Sequence, residues 1–175
     1  MKKQKINSFF KKNKVQIFII SKLGSERLKD KIKINIKKSN ITEIFLKRMT
    51  KIFPSNLIKI CTSGYRSKNF FLPFKNKYNV EIFVGENKNV LSRILKCMKK
   101  NNLKHFVRVT GDNPFTDLNK IITLVKMHVK NQNDYTYTTS LPVGLRSEVF
   151  SYNALLRCEK NIVDPNSTEY LTYYF

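Results

Sequence analysis

Glycine is scarce in this sequence, with five residues in 175, at positions 24, 64, 85, 111 and 144. Neither the G-x-G-x-x-G fingerprint nor a Walker A loop can be written with them, so the dinucleotide-binding and P-loop classes drop out. Histidine and cysteine are scarcer still, at two and three. Cys61, Cys97 and Cys158 lie far apart, form no C-x-x-C pair and have no histidine close by. That spacing argues against a structural zinc site and reads as buried thiols in a reducing cytosol. Long apolar runs are also missing. None approaches the roughly eighteen residues of a membrane span, and Val15–Ile20 is too short for the apolar core of a signal peptide. The expectation is a cytoplasmic protein with no membrane partner.

Acidic residues are few: 12 Asp and Glu stand against 34 Lys and Arg, for a formal net charge of +22. Such an excess raises nucleic acid as a partner. The basic residues, however, are mostly Lys spread over the whole chain among Asn, Ile and Phe, a compositional pattern rather than a groove. Nucleic acid is therefore not the expected partner, and a Lys-rich surface suits a polyphosphate nucleotide equally well.

What is present is alternation. Val15–Ile20 is a continuous β-rich apolar run, as expected of a strand buried on both faces of a parallel sheet. A polar loop, Ser21–Lys31, follows, and then Thr42–Phe53 carries apolar residues at helical spacing behind a Thr cap. Leu57–Thr62 and Val80–Val84 repeat the strand signal, and Asn89–Asn101 reads as a helix with Val90, Leu91, Ile94, Leu95 and Met98 inward. Phe106–Thr110 is a strand, Asp117–Asn131 a helix, and Tyr135–Thr139 strand-like. The pattern predicts one α/β domain, a Rossmann-like three-layer sandwich with a mostly parallel sheet and ligands at the carboxyl ends of its strands. Residues 1–14 read as a basic flexible tail, with the domain over 15–175.

The loops after Ile20 and Thr110 hold the chemistry. In Ser21-Lys-Leu-Gly-Ser-Glu-Arg-Leu-Lys-Asp-Lys31, Gly24 permits close backbone approach, and Lys22, Arg27 and Lys31 can converge on phosphates. This loop resembles the R-x-G-S-x-R-L-x-x-K signature of cytidylyltransferases that activate sugar acids or act in spore-coat polysaccharide synthesis. Lys22 stands for the family's first Arg and Lys29-Asp30 for its Pro-Gly. Asn89-Val-Leu-Ser-Arg93 resembles D-V-L-D-R, and Val107-Arg-Val-Thr-Gly-Asp-Asn-Pro114 resembles V-R-V-T-G-D-x-P. Gly144–Phe150 and Asp164–Thr172 resemble G-L-D-V-E-V-F and D-P-x-x-R-E-H-V-T, with Arg146, Thr168 and Tyr170 replacing Asp, Arg and His. The matches run from about Val15 to Phe175.

The resemblance implies attack of a sugar hydroxyl on the α-phosphorus of CTP, giving a CMP-sugar and pyrophosphate. It assigns the triphosphate to Lys22, Gly24, Ser25, Arg27 and Lys31, with Arg93 and Arg108 as further nucleotide contacts. Glu148 and Glu169 fall on the sugar side, and Asp112 on Mg²⁺. Read from pattern alone, Asp112 has a second explanation, the cap of a helix beginning near Pro114. The replaced residues keep two other readings open, an accessory nucleotide-binding relative and a basic nucleic-acid binder. Family members are longer, and the aromatic end Tyr170–Phe175 reads as a domain incomplete at its carboxyl terminus. Slow turnover and self-association through an uncovered edge are the corresponding expectations.

Overall fold

The computed structural model describes residues 2–24, 30–164 and 171–175. Strand β1 (Val15–Ile20) is apolar throughout because it is covered twice, with Ile17 and Ile19 facing one helical layer and Phe18 the other. Strands β4 (Ile58–Ser63) and β6 (His105–Thr110) flank it in parallel, and β5 (Glu81–Gly85) adds in parallel to β4. Beyond β6 the sheet turns antiparallel through β8 (Glu148–Ser151) and then β7 (Tyr135–Tyr137). The order is β5-β4-β1-β6-β8-β7, with a separate two-stranded ribbon of β2 (Asn35–Ile36) and β3 (Ser39–Asn40).

Helices α1 (Lys3–Lys12), α2 (Ile41–Ile52), α3 (Tyr65–Tyr78) and α5 (Leu118–Lys130) cover one face, and α4 (Val90–Lys100) and α6 (Tyr152–Asn161) the other. The expected α/β sandwich with a mostly parallel sheet is what forms. Among the described residues no helix is long and apolar enough to cross a membrane.

Several elements differ from the sequence reading. Residues 3–12 do not fray as a basic tail. Ile6 and Phe10, four apart and so on one helical face, are buried, and Phe10 meets the Phe53 ring at 6.1 Å. Helix α2 is capped by Asn40, whose side chain accepts from the Glu43 amide at 2.9 Å. Thr42 sits inside the first turn and donates instead to the Ile32 carbonyl. Helix α3 has a weak sequence signal because Pro73 interrupts its ladder, yet Phe70, Phe71 and Phe74 pack edge to face. Tyr135–Thr139 pairs only as far as Tyr137. One lysine, Lys59, lies buried in β4, and its ammonium reaches Glu81 and Asn101, each at 2.6 Å.

Candidate active site

The strand order reverses between β1 and β6, since β1 leads on to β4 on one side and β6 to β8 on the other. An open α/β sheet forms its ligand crevice outside the carboxyl ends at such a point. Ile20 and Thr110 are register partners there, and the chain continues into Ser21 and Gly111. The Gly111 amide donates to the Ile20 carbonyl at 3.0 Å. A Cβ on Gly111 would stand 2.5 Å from both Cβ and Oγ of Ser21. The two strand ends approach this closely only because residue 111 is glycine.

Asp112 follows at once and forms an ion pair with Lys31. Burial pushes its carboxyl up, but the hydrogen bond and charge of Lys31 outweigh this and hold it below the ordinary carboxylate value. Asp112 caps no helix. The cap of α5 is Asp117, which accepts from the amides of Asn119 and Lys120 at 3.0 and 3.2 Å. The helix starts later than its Pro114 signal because residues 113–116 form a tight turn, with the Thr116 amide and hydroxyl both donating to the Asn113 carbonyl. Arg48 of α2 braces that turn by donating to the Pro114 and Thr116 carbonyls.

Across the cleft, Lys22 and Gly24 are exposed at the start of the loop, and Gly24 holds φ +83°. The neighbouring Leu23 amide donates to Ser67 Oγ at 3.0 Å, and the Gly24 amide donates to Asp30 Oδ1 at 2.9 Å. Ser25, Arg27 and Glu169 lie outside the described residues.

The remaining candidates stand elsewhere. Arg108 and Glu148 are register partners on the α4 and α6 face of the sheet, joined at 2.5 Å. Tyr135 donates to the other Glu148 oxygen at 2.7 Å. Glu148 therefore orients Arg108 and Tyr135. Arg93 does not enter the cleft. It is 1% exposed, donates to the Glu86 carbonyl at 2.7 Å, and lies so close to β5 that a Cβ on Gly85 would meet its Cγ at 2.6 Å. Its place in the N-V-L-S-R motif is explained by packing, as Asn89 is by capping α4 through the Ser92 amide at 2.8 Å.

A family model described as cytidylyltransferase matches residues 17–170. The chain belongs to the cytidylyltransferase family. An uncharacterized protein of Methanocaldococcus jannaschii is 34% identical over 156 residues, covering 89% of this chain and 64% of the relative. The spore coat polysaccharide biosynthesis protein SpsF of Bacillus subtilis is 26% identical over 168 residues, covering 93% and 70%. The chain thus spans about two thirds of the length of these relatives. The fold matches a cytidylyltransferase of Leptospira borgpetersenii with a TM-score of 0.81 at 24% identity, covering 92% of this chain and 70% of the other. It also matches a CMP:2-keto-3-deoxy-manno-octonic acid synthetase complexed with CTP, with a TM-score of 0.67 at 14% identity, covering 91% and 83%.

Among the described residues no three His, Cys, Asp or Glu side chains gather into a metal-binding group. One carboxylate suits a magnesium ion that shares its coordination with phosphates and water, and does not suit an ion held by protein alone. Arg48 was not legible as a site support, because its partners are backbone carbonyls far along the chain.

Proposed function

We propose that this cytidylyltransferase binds CTP in the crevice between β1 and β6 and transfers CMP to an acidic or related sugar destined for surface polysaccharide. The observation that supports this reading most is the juxtaposition of Lys31 and Asp112, a cation and a hard carboxylate brought together at the switch point by two separate loops. A magnesium triphosphate presents the complementary pair, with phosphate oxygens for Lys31 and the metal for Asp112. Bound there, magnesium would neutralise phosphate charge and polarise the phosphoryl oxygens.

In the reaction, the sugar hydroxyl attacks the α-phosphorus, an oxygen–phosphorus bond forms, and the bond to the β-phosphate oxygen breaks. Pyrophosphate leaves, and the hydroxyl proton passes to solvent. Little covalent work falls to the protein. Lys22 and Lys31 orient the triphosphate, joined by Gly24, Ser25 and Arg27 on the strength of the family pattern. Arg108, held by Glu148, supplies a cation for the acceptor side, with Glu169 assigned there by the pattern alone. The names of SpsF and of the CTP-bound synthetase support the polysaccharide and nucleotide halves of the proposal.

A second reading, nucleotide binding without turnover, is favoured by Arg146. This residue stands where the family pattern has an acid, and its Nε donates to the Leu141 carbonyl at 2.6 Å. Pyrophosphate release, followed with each of the four nucleoside triphosphates and a panel of 2-keto sugar acids, separates the readings. Release with CTP alone, requiring both magnesium and one class of acid, is the expected result. Tight CTP binding without release under any acceptor would favour the second reading, and no preference for CTP would overturn both.

A further inference from the structure

Asp30 is an anomaly in an anion-binding loop, because it places a carboxylate where a triphosphate is to sit. It also holds φ +51°, a left-handed conformation that costs a non-glycine residue energy. The family pattern has glycine at this position, which would carry neither the charge nor the strain. Both are offset by what the carboxylate does. Oδ1 accepts from the Gly24 amide at 2.9 Å and so ties Gly24 to Asp30. Oδ2 takes the Arg66 guanidinium at 2.7 Å and lies 3.4 Å from the Lys33 ammonium. Arg66 belongs to the first turn of α3, whose Ser67 receives the Leu23 amide, so Leu23 and Asp30 are both fastened to α3. The Asp30 carbonyl accepts from the Lys33 amide at 2.8 Å, and the next residue in the chain is Lys31, the partner of Asp112.

We infer that Asp30 is a positioning residue. It bridges Gly24 and Arg66, and thereby sets Lys31 at the β1–β6 crevice before nucleotide arrives. The inference rests on the proposed triphosphate site, and its sign distinguishes it from a bystander role. Were Asp30 only a nearby charge, removing it would tighten binding of a polyanion. As a positioning residue, its removal loosens binding, because Gly24 and Lys31 must then be set in place by the ligand itself.

The test compares magnesium–CTP binding by calorimetry with amide hydrogen exchange of the empty protein over residues 22–31. Asp30→Gly, which keeps the backbone conformation and loses both ties, is expected to weaken CTP about tenfold. It should also speed exchange at the Gly24 amide, with the melting temperature little changed. Asp30→Asn tolerates the same φ and keeps an acceptor for Gly24, so it should regain part of the loss. Arg66→Ala should weaken CTP in the wild-type background and have almost no further effect in Asp30→Gly, because the two act through one contact. Unchanged or tighter CTP binding by Asp30→Gly, or full additivity with Arg66→Ala, would overturn the inference. Failure of the wild-type protein to bind CTP would sink the nucleotide reading instead, and unaltered Gly24 exchange in Asp30→Gly would separately sink the tie.

Discussion

Gly111 shows how one missing methyl shapes the crevice. Its φ is unexceptional, so the requirement is steric: the Cβ of any other residue would meet Ser21 at 2.5 Å. Gly111→Ala should cost about 1–3 kcal/mol through local displacement of the β1 and β6 ends. Thermal unfolding of Gly111→Ala, alone and combined with Ser21→Gly, checks the mechanism. Ser21→Gly removes the two atoms in the way and should restore most of the loss, whereas no restoration would place the strain elsewhere. The same scale shows what the sequence made legible. The loops carrying Lys31 and Asp112 were identified because each follows a strongly apolar strand, and strand ends of a parallel sheet converge. Arg93, assigned to the nucleotide by its motif, meets the Glu86 carbonyl instead of the cleft in this structure, because a motif records that an arginine is needed, not what its guanidinium meets.

At the scale of elements, the four strands β1, β4, β5 and β6 and the helices α2, α4 and α5 were legible because their apolar patterning is strong. Helix α1 was hidden by its lysines and α3 by Pro73, while β8 is a four-residue strand whose signal is too short to stand alone. The far end of β6 holds a pairing that no local pattern encodes. His105 Nδ1 lies 3.1 Å from His128 Nε2, and His128 Nδ1 lies 2.9 Å from Thr136 Oγ1, joining β6, α5 and β7. His128 is fully buried. Burial foremost, and then His105, lower its pKa to about 4, with Asp134 pulling the other way. The unfolded chain takes up this proton near pH 6.5, so between that value and about 4 the unfolded state binds more protons. Stability from this group is complete above the window and falls as pH drops through it, by up to about 1.4 kcal/mol per pH unit. Denaturant midpoints at pH 7.5 and 5 should therefore differ more in the wild type than in His128→Gln. Equal slopes would mean that the pair is not a buried neutral one.

Across the whole molecule, the +22 charge provides a general attraction for polyphosphates that salt screens, while the cleft provides a specific one that persists. The two are separable because only the second depends on the Lys31 and Asp112 pair. Lys31→Ala removes a charged hydrogen bond to phosphate and should weaken CTP by about 1.5–3 kcal/mol. Asp112→Asn preserves shape but removes the charge a hard cation prefers. The most direct measurement is a calorimetric titration of CTP at physiological salt, with and without magnesium, on the wild-type protein and these two variants. The wild type should bind more tightly with magnesium, Lys31→Ala should bind weakly in both conditions, and Asp112→Asn should lose the magnesium dependence. Wild-type affinity indifferent to magnesium, or both variants binding CTP as the wild type does, would contradict the assignment of the crevice.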